Sequence, residues 1–281
     1  MAGMTSNEFD ARPAELLDRA RADHDAGLYH DALATARELL AFLDEVDELE
    51  RIAEHTHPRV SACAIGARSL SELGDPPGAL ELIAQGRAVL DASNAKSRLE
   101  LDAAEGLVLA RSGRVEAAIA LLEEATAACR GAGADAALVA MLEALASAYV
   151  NAGRYDLAIA GAQEAIACAE RAGAASALAF TTLARAHLGA GNVDRAEAEY
   201  ERALDMARQR EARGTEGWTL LAGGEIAVRH GDRALAEQRL DEAQEIAEEL
   251  SMMPLVERCR ATWRRVLQAE RTSESNRRSE S

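Results

Sequence analysis

Aromatic side chains make up only 3% of this 281-residue chain, proline occurs five times, and a single lysine, Lys96, stands against thirty arginines. Each scarcity excludes something. Valine, isoleucine and threonine never gather into alternating runs, so no strand is predicted. One lysine leaves almost no material for a lysine-based phosphate loop or a Schiff-base enzyme. The four cysteines, Cys63, Cys129, Cys168 and Cys259, lie far apart with no CxxC. They read as small buried hydrophobes in a reducing compartment rather than as a disulfide framework. No stretch approaches 18 uninterrupted apolar residues, and no apolar run follows a basic start. The expectation is therefore a cytoplasmic protein with no membrane span. HExxH, P-loop, GxSxG and Cys–His metal spacings are missing as well.

What remains is dominated by alanine, leucine, glutamate and arginine, a helix-forming vocabulary. Hydrophobic residues reach 48%, enough to bury a large interior and to exclude global disorder. The net charge of −17 argues against nucleic acid and anionic membranes as partners, because phosphate contacts require a basic surface. It reads as a solvated acidic exterior.

The stretch NAGRYDLAIAGAQEAI, Asn151 to Ile166, belongs to a repeat. Its relatives begin at Asp25, Glu72, Arg111, Gly189 and Arg229, anchored on Gly27, Gly74, Gly113, Gly153, Gly191 and Gly231. The separations are 47, 39, 40, 38 and 40 residues. Five residues after each glycine stands alanine: Ala32, Ala79, Ala118, Ala158, Ala196 and Ala236. Seven residues before it the side chain is minimal: Ala20, Ala67, Gly106, Ala146, Ala184 and Gly224. A glycine that closes an apolar-periodic segment enters the left-handed region without a Cβ penalty and ends a helix. A new amphipathic segment starts two or three residues later. Each unit is thus a helix, a tight turn and a second antiparallel helix, with small residues where the two cross.

This pattern resembles the tetratricopeptide repeat. The fourth unit carries it best, with Leu142, Leu145, Ala146, Tyr149, Gly153, Tyr155, Ala158, Ile159 and Ala165, and the fifth adds Phe180, Leu183, Ala184, Gly191, Ala196, Tyr200 and Ala203. Tryptophan is missing from the early first-helix position, and His187, Leu109 and Ala227 stand where the family has tyrosine. The period near 40 is similar to the variant found in bacterial signalling and regulatory proteins. The resemblance implies an all-α, right-handed α-solenoid of about six helix pairs, near 12–46, 59–92, 97–131, 135–172, 176–210 and 214–250. A capping helix is expected over 254–270, with disordered ends at 1–10 and 271–281.

In tetratricopeptide proteins the first helices line a concave groove. Carrying the family's groove positions onto this chain selects five residues in each unit, from Glu100, Ala103, Leu107, Ala110 and Arg111 in the third to Trp218, Leu221, Glu225, Val228 and Arg229 in the sixth. The candidate partner-binding residues are Arg21, Arg68, Leu107, Arg111, Ser147, Val150, Asn151, Arg185, Leu188, Trp218, Leu221 and Arg229. An apolar lining with spaced arginines suits a peptide with hydrophobic anchors and some carboxylates, and Trp218 is the foremost anchor candidate. The chaperone-tail carboxylate clamp of the family is missing at the matching positions.

Three roles fit this architecture. The first is a non-enzymatic scaffold that binds a protein or peptide in the groove. The second is the sensory or regulatory part of a larger bacterial signalling protein, such as a nucleotide cyclase or transcriptional regulator. The third is a self-associating solenoid. No catalytic residue, cofactor or metal is expected. His55 and His57 beside Glu54 read as a polar loop rather than a metal site. GAGADA from Gly131 reads as a linker between units, the paired carboxylates as solvated faces, and Cys129 and Cys168 as inert thiols rather than a redox pair.

Overall fold

The computed structural model describes residues 6–49, 56–90, 94–132, 135–173 and 175–279, and among these every regular element is a helix. The helices pair in sequence. The first pair is α1 (Ser6–Ala26) with α2 (Tyr29–Leu49), the second α3 (Thr56–Leu73) with α4 (Pro76–Ala88), and the third α5 (Ala95–Arg111) with α6 (Val115–Ala132). There follow α7 (Asp135–Asn151) with α8 (Tyr155–Arg171), α9 (Ala177–Gly189) with α10 (Val193–Gln209), and α11 (Arg213–His230) with α12 (Arg233–Glu249). The unpaired α13 (Met253–Ser279) closes the array. The protein is an α-solenoid of six helix pairs and a cap.

The turns lie where the glycines are. All six anchoring glycines are left-handed, with φ between 72° at Gly153 and 87° at Gly27. The joints between units are less uniform, since the left-handed residue there is Gly173 after α8, Glu211 after α10 and Ser251 after α12. The alanines five residues after each glycine are fully buried, as are Ala20, Ala67, Ala146 and Ala184 on the partner helices. The crossings are tight enough to sense one carbon. A Cβ on Gly106 would overlap the Leu122 side chain, and one on Gly224 would lie 2.8 Å from Leu240 Cδ2. Backbones approach this closely only when the side chains between them are minimal.

Element lengths differ from the expectation at the ends. The long first spacing is taken up partly by α2, which has 21 residues against 17 in α8, α10 and α12. The expected disordered ends are helical where described: α1 begins at Ser6 and α13 runs to Ser279, well past the expected stop at 270. Residues 1–5 and 280–281 lie outside the described residues, as do the side chains of His55, His57 and the GAGADA segment. The cap buries Leu255, Val256, Cys259 and Val266 against Leu220, Leu240 and Ile246, covering an apolar end that a solenoid would otherwise expose.

The spiral closes on itself. The α1–α2 turn meets the start of α11: a Cβ on Gly27 would lie 3.0 Å from the Gly214 backbone nitrogen and 3.0 Å from Leu250 Cδ1. Tyr29, buried at that turn, belongs to the same apolar cluster as Leu220, Leu221 and Met252. At the end of α3, a Cβ on Gly74 would lie 2.9 Å from Met253 Cβ on the cap. Trp218 Nε1 donates to Glu72 Oε2 at 3.1 Å, across 146 residues of chain. Glu72 also pairs with Arg111, whose guanidinium sits 5.2 Å from the Trp218 ring centroid. The first and last units thus share one seam, and the odd-numbered helices enclose a channel.

Candidate functional site: a two-chambered concave channel

The channel is built from the faces of the odd-numbered helices. It holds two chambers. One, of about 930 Å³, is lined by α1, α3, one face of α5 along its whole length, α7 from Ala137 to Ser147, and the N-terminal parts of α9 and α11. The other, of about 1120 Å³, is lined by the C-terminal ends of α5, α7, α9 and α11 and by one side of α13. Arg111, Ser147, Leu178 and Trp218 line both and so mark their common boundary.

Of the twelve residues selected from sequence, Arg21, Arg68 and Leu107 lie in the smaller chamber and Val150, Asn151, Arg185, Leu188 and Arg229 in the larger. Arg111, Ser147 and Trp218 lie at the boundary. Leu221 does not join them: it is 2% exposed and packs into the core beside Leu220 and Leu255. Trp218 differs from a free anchor, since its indole N–H is already held by Glu72 and its ring by Arg111. Sequence reasoning expected the cap helix but did not place it in the lining. Arg258, Arg264, Arg265 and Thr262 of α13 line the larger chamber. The 40-residue period could have found part of this wall, because Trp218, Leu221 and Glu225 advanced by one period fall on Arg258, Ala261 and Arg265.

The chambers differ in charge. The smaller is balanced, with five acidic and five basic side chains in its lining. Its half-buried carboxyl, Glu143, accepts from the Ser176 hydroxyl and is pushed above the usual carboxylate range, chiefly by burial. The neighbouring His24 is neutral, its imidazole held well below its ordinary value by burial and then by Arg68 and Arg111, and it lies 2.9 Å from Ser69 Oγ. The larger chamber has seven arginines in its lining and only two glutamates, Glu225 and Glu257. Glu225 is shared, 3.1 Å from Arg265 and 3.9 Å from Arg258.

Arg185 in the larger chamber and Arg68 in the smaller differ from the half-buried arginines that hold carboxylates, and Arg68 has no ion pair among the described residues. Arg87 binds Asp102 and Glu105, and Arg239 binds Glu197. Arg185 has only the Asn151 side-chain oxygen, at 3.3 Å, and no carboxylate partner among the described residues. Burial first, and then the neighbouring Arg258, push its guanidinium down to about 10. Glu225 acts on it in the opposite sense from beyond ion-pair distance, and a half-buried cation with no carboxylate bound to it is a favourable place for an anion from outside the chain.

No constellation among the described residues favours catalysis or metal binding. No cluster of three or more His, Cys, Asp or Glu is placed to hold a metal ion. The four cysteines are free and buried, and burial pushes the Cys63, Cys129 and Cys259 thiols up, away from reactivity. His187 packs at the family's aromatic position, 5% exposed, its pKa lowered by burial and by Arg195. No described helix is long and apolar enough to cross a membrane.

The family model described as tetratricopeptide repeat matches residues 138–209, the fourth and fifth units. No curated protein matches the chain. Among solved structures, the chain is similar to the Rap conjugation gene regulator of the plasmid pLS20 in complex with the Phr* peptide. The TM-score is 0.67 and the identity 13%, over 96% of this chain and 79% of that one. A Rap protein complexed with Competence and Sporulation Factor follows, at TM-score 0.63 and 12% identity, over 90% and 80%. BtubC from P. vanneervenii gives 0.57 and 18%, over 78% and 90%. At these identities the likeness concerns the fold. The matched segment makes residues 138–209 a pair of tetratricopeptide repeats, and the six glycine turns in one register carry the same helix-pair architecture along the rest of the chain.

Proposed function

We propose that the protein is a non-enzymatic interaction scaffold, acting in the bacterial cytoplasm, that holds a peptide or protein segment in its concave channel. The observation that carries this reading is the channel itself: two adjoining chambers, walled by seven helices and lined by both apolar and charged side chains. A space of that size, with Leu178, Leu188, Val150 and Val228 set among polar groups, suits an extended or helical segment with a few apolar anchors. The two Rap structures support it, since each is a complex, one of them with a peptide. The reading assigns no catalytic residue, cofactor or metal. Nucleic acid and membranes are disfavoured by the net charge of −17.

The test uses residues of the channel that take no part in the seam. Wild type, an Arg185→Glu/Leu188→Asp double variant and an Arg195→Glu control on α10 are used to capture proteins from a lysate of the source organism. The proposal expects a bound set common to wild type and control and lost from the double variant. An identical set on all three proteins would refute it. A second role, sensory part of a larger regulator, is favoured by the conjugation gene regulator among the similar structures. The same channel would then be its sensor.

A further inference from the structure

The two chambers sit in one channel yet differ in charge, and the imbalance is concentrated in one of them. In a protein of net charge −17, the wall formed by α9, the end of α11 and the cap gathers arginines in excess of its acids. Arginines are placed there from three elements: Arg185 in the middle of α9, Arg229 in the last turn of α11, and Arg258 and Arg265 on α13. Some of this charge has a structural use. Arg229 complements the negative end of the α11 dipole, and Arg265 binds Glu225. Arg185 has no such use. It is not in the last turn of α9, no carboxylate of the described residues lies within ion-pair distance of it, and Arg258 opposes it with like charge more strongly than Glu225 favours it. Apolar positions flank it, with Leu188 one turn further along α9, Val150 on α7 and Val228 on α11.

We propose that the larger chamber binds the carboxylate-bearing part of a peptide, with Arg185 as the central ion-pair partner, Arg258 and Arg229 flanking it, and Leu188 and Val228 receiving an adjacent apolar side chain. This rests on the scaffold reading and adds the chemistry of the occupant. The guanidinium fork matches a carboxylate in two parallel hydrogen bonds. The concave wall makes such a pair stronger than on an open surface. The balanced chamber beyond Trp218 receives the rest of the segment without a charge preference of its own. The carboxylate is an Asp or Glu side chain of the segment, and a free C-terminus is the alternative that the test below separates from it.

A random peptide library with free C-termini, displayed on phage, is selected against the full chain and, in parallel, against an Arg185→Gln/Arg258→Gln variant. The expected wild-type pool is enriched in Asp and Glu, or in acidic C-termini, next to aliphatic residues. The variant pool is expected to lose the acidic bias. Selected peptides are then synthesised as the acid, as the C-terminal amide and with Glu→Gln exchanges. Loss of roughly tenfold in affinity on one exchange identifies which carboxylate is bound, in line with a charge-assisted hydrogen-bonded pair. A wild-type pool with aliphatic consensus but no acidic bias overturns this inference and leaves the scaffold reading standing. A channel that selects no peptide at all overturns both. Arg185→Gln alone should melt no lower than wild type, because it removes a half-buried cation that no carboxylate binds; a lower melting temperature would show Arg185 to be structural and overturn the assignment.

Discussion

At the residue scale, two glycines separate backbone freedom from close approach. Gly153 has φ of 72° and open space around it, the nearest outside atom being the Tyr155 hydroxyl at 4.0 Å. Gly153→Ala should therefore lose about 1 kcal/mol, from the left-handed backbone alone. Gly189 sits in ordinary helical backbone, but a Cβ there would fall inside the Tyr155 ring. Gly189→Ala should lose roughly 1–3 kcal/mol by overpacking, and Tyr155→Leu should rescue part of it. Urea unfolding of the four proteins checks both statements. His24 gives a prediction on pH. Its imidazole is depressed in the folded chain by burial, Arg68 and Arg111, while its ordinary value is 6.5. Between the two values the unfolded state binds the extra proton. Stability is thus complete above the ordinary value and falls as pH drops, by up to about 1.4 kcal/mol per pH unit for this one site. His187 shifts in the same direction and Glu143 in the opposite one, so the readout is a difference. His24→Gln should flatten the loss of stability seen in wild type between about pH 7 and pH 5.

At the element scale, the cap carries the most weight. Leu255, Val256, Cys259 and Val266 of α13 are all buried against α11 and α12. Truncation before Met253 should remove on the order of 5–10 kcal/mol of gross burial. Hydrogen exchange should then show α11 and α12 losing protection while α7 and α8 keep theirs, as expected for an array whose units contact mainly their neighbours. Unchanged protection of α12 would contradict this. The helices and their hinges were legible in the sequence because they are local: a glycine, an alanine five residues on and a minimal side chain seven residues back are fixed by one turn and one crossing. The joints at Glu211 and Ser251 were not, since neither residue type advertises a left-handed conformation. The channel lining was legible through the same register, and nineteen of the twenty positions it selects in units three to six line one chamber or the other. Leu221 escapes because it packs into the core beside Leu220 and Leu255. The α13 wall went unread because the register stopped at the last complete pair.

At the scale of the whole molecule, the seam is the feature without a sequence signature. Nothing around Glu72 or Trp218 announces a partner 146 residues away, because closure depends on the sum of small rotations between units. Its energy is modest and distributed over the Trp218–Glu72 hydrogen bond, the Arg111 pairings and the packing of Tyr29 and Gly74 on the last unit and cap. Trp218→Phe keeps the ring and removes the hydrogen bond, a loss of about 1 kcal/mol that should leave the ring closed. Trp218→Ala removes ring and bond together and should expand the molecule, as a larger radius of gyration in solution scattering.

The central claim is that six helix pairs wind until their two ends meet around a channel. Spin labels at Leu28, exposed at the α1–α2 turn, and at Glu211, exposed at the α10–α11 turn, report on it directly. Pulsed electron resonance on the wild-type background should give one narrow distance, shorter than the ~25 Å length of a 17-residue helix. A broad distribution centred well beyond one helix length would mean an open spiral, with no seam and no enclosed channel.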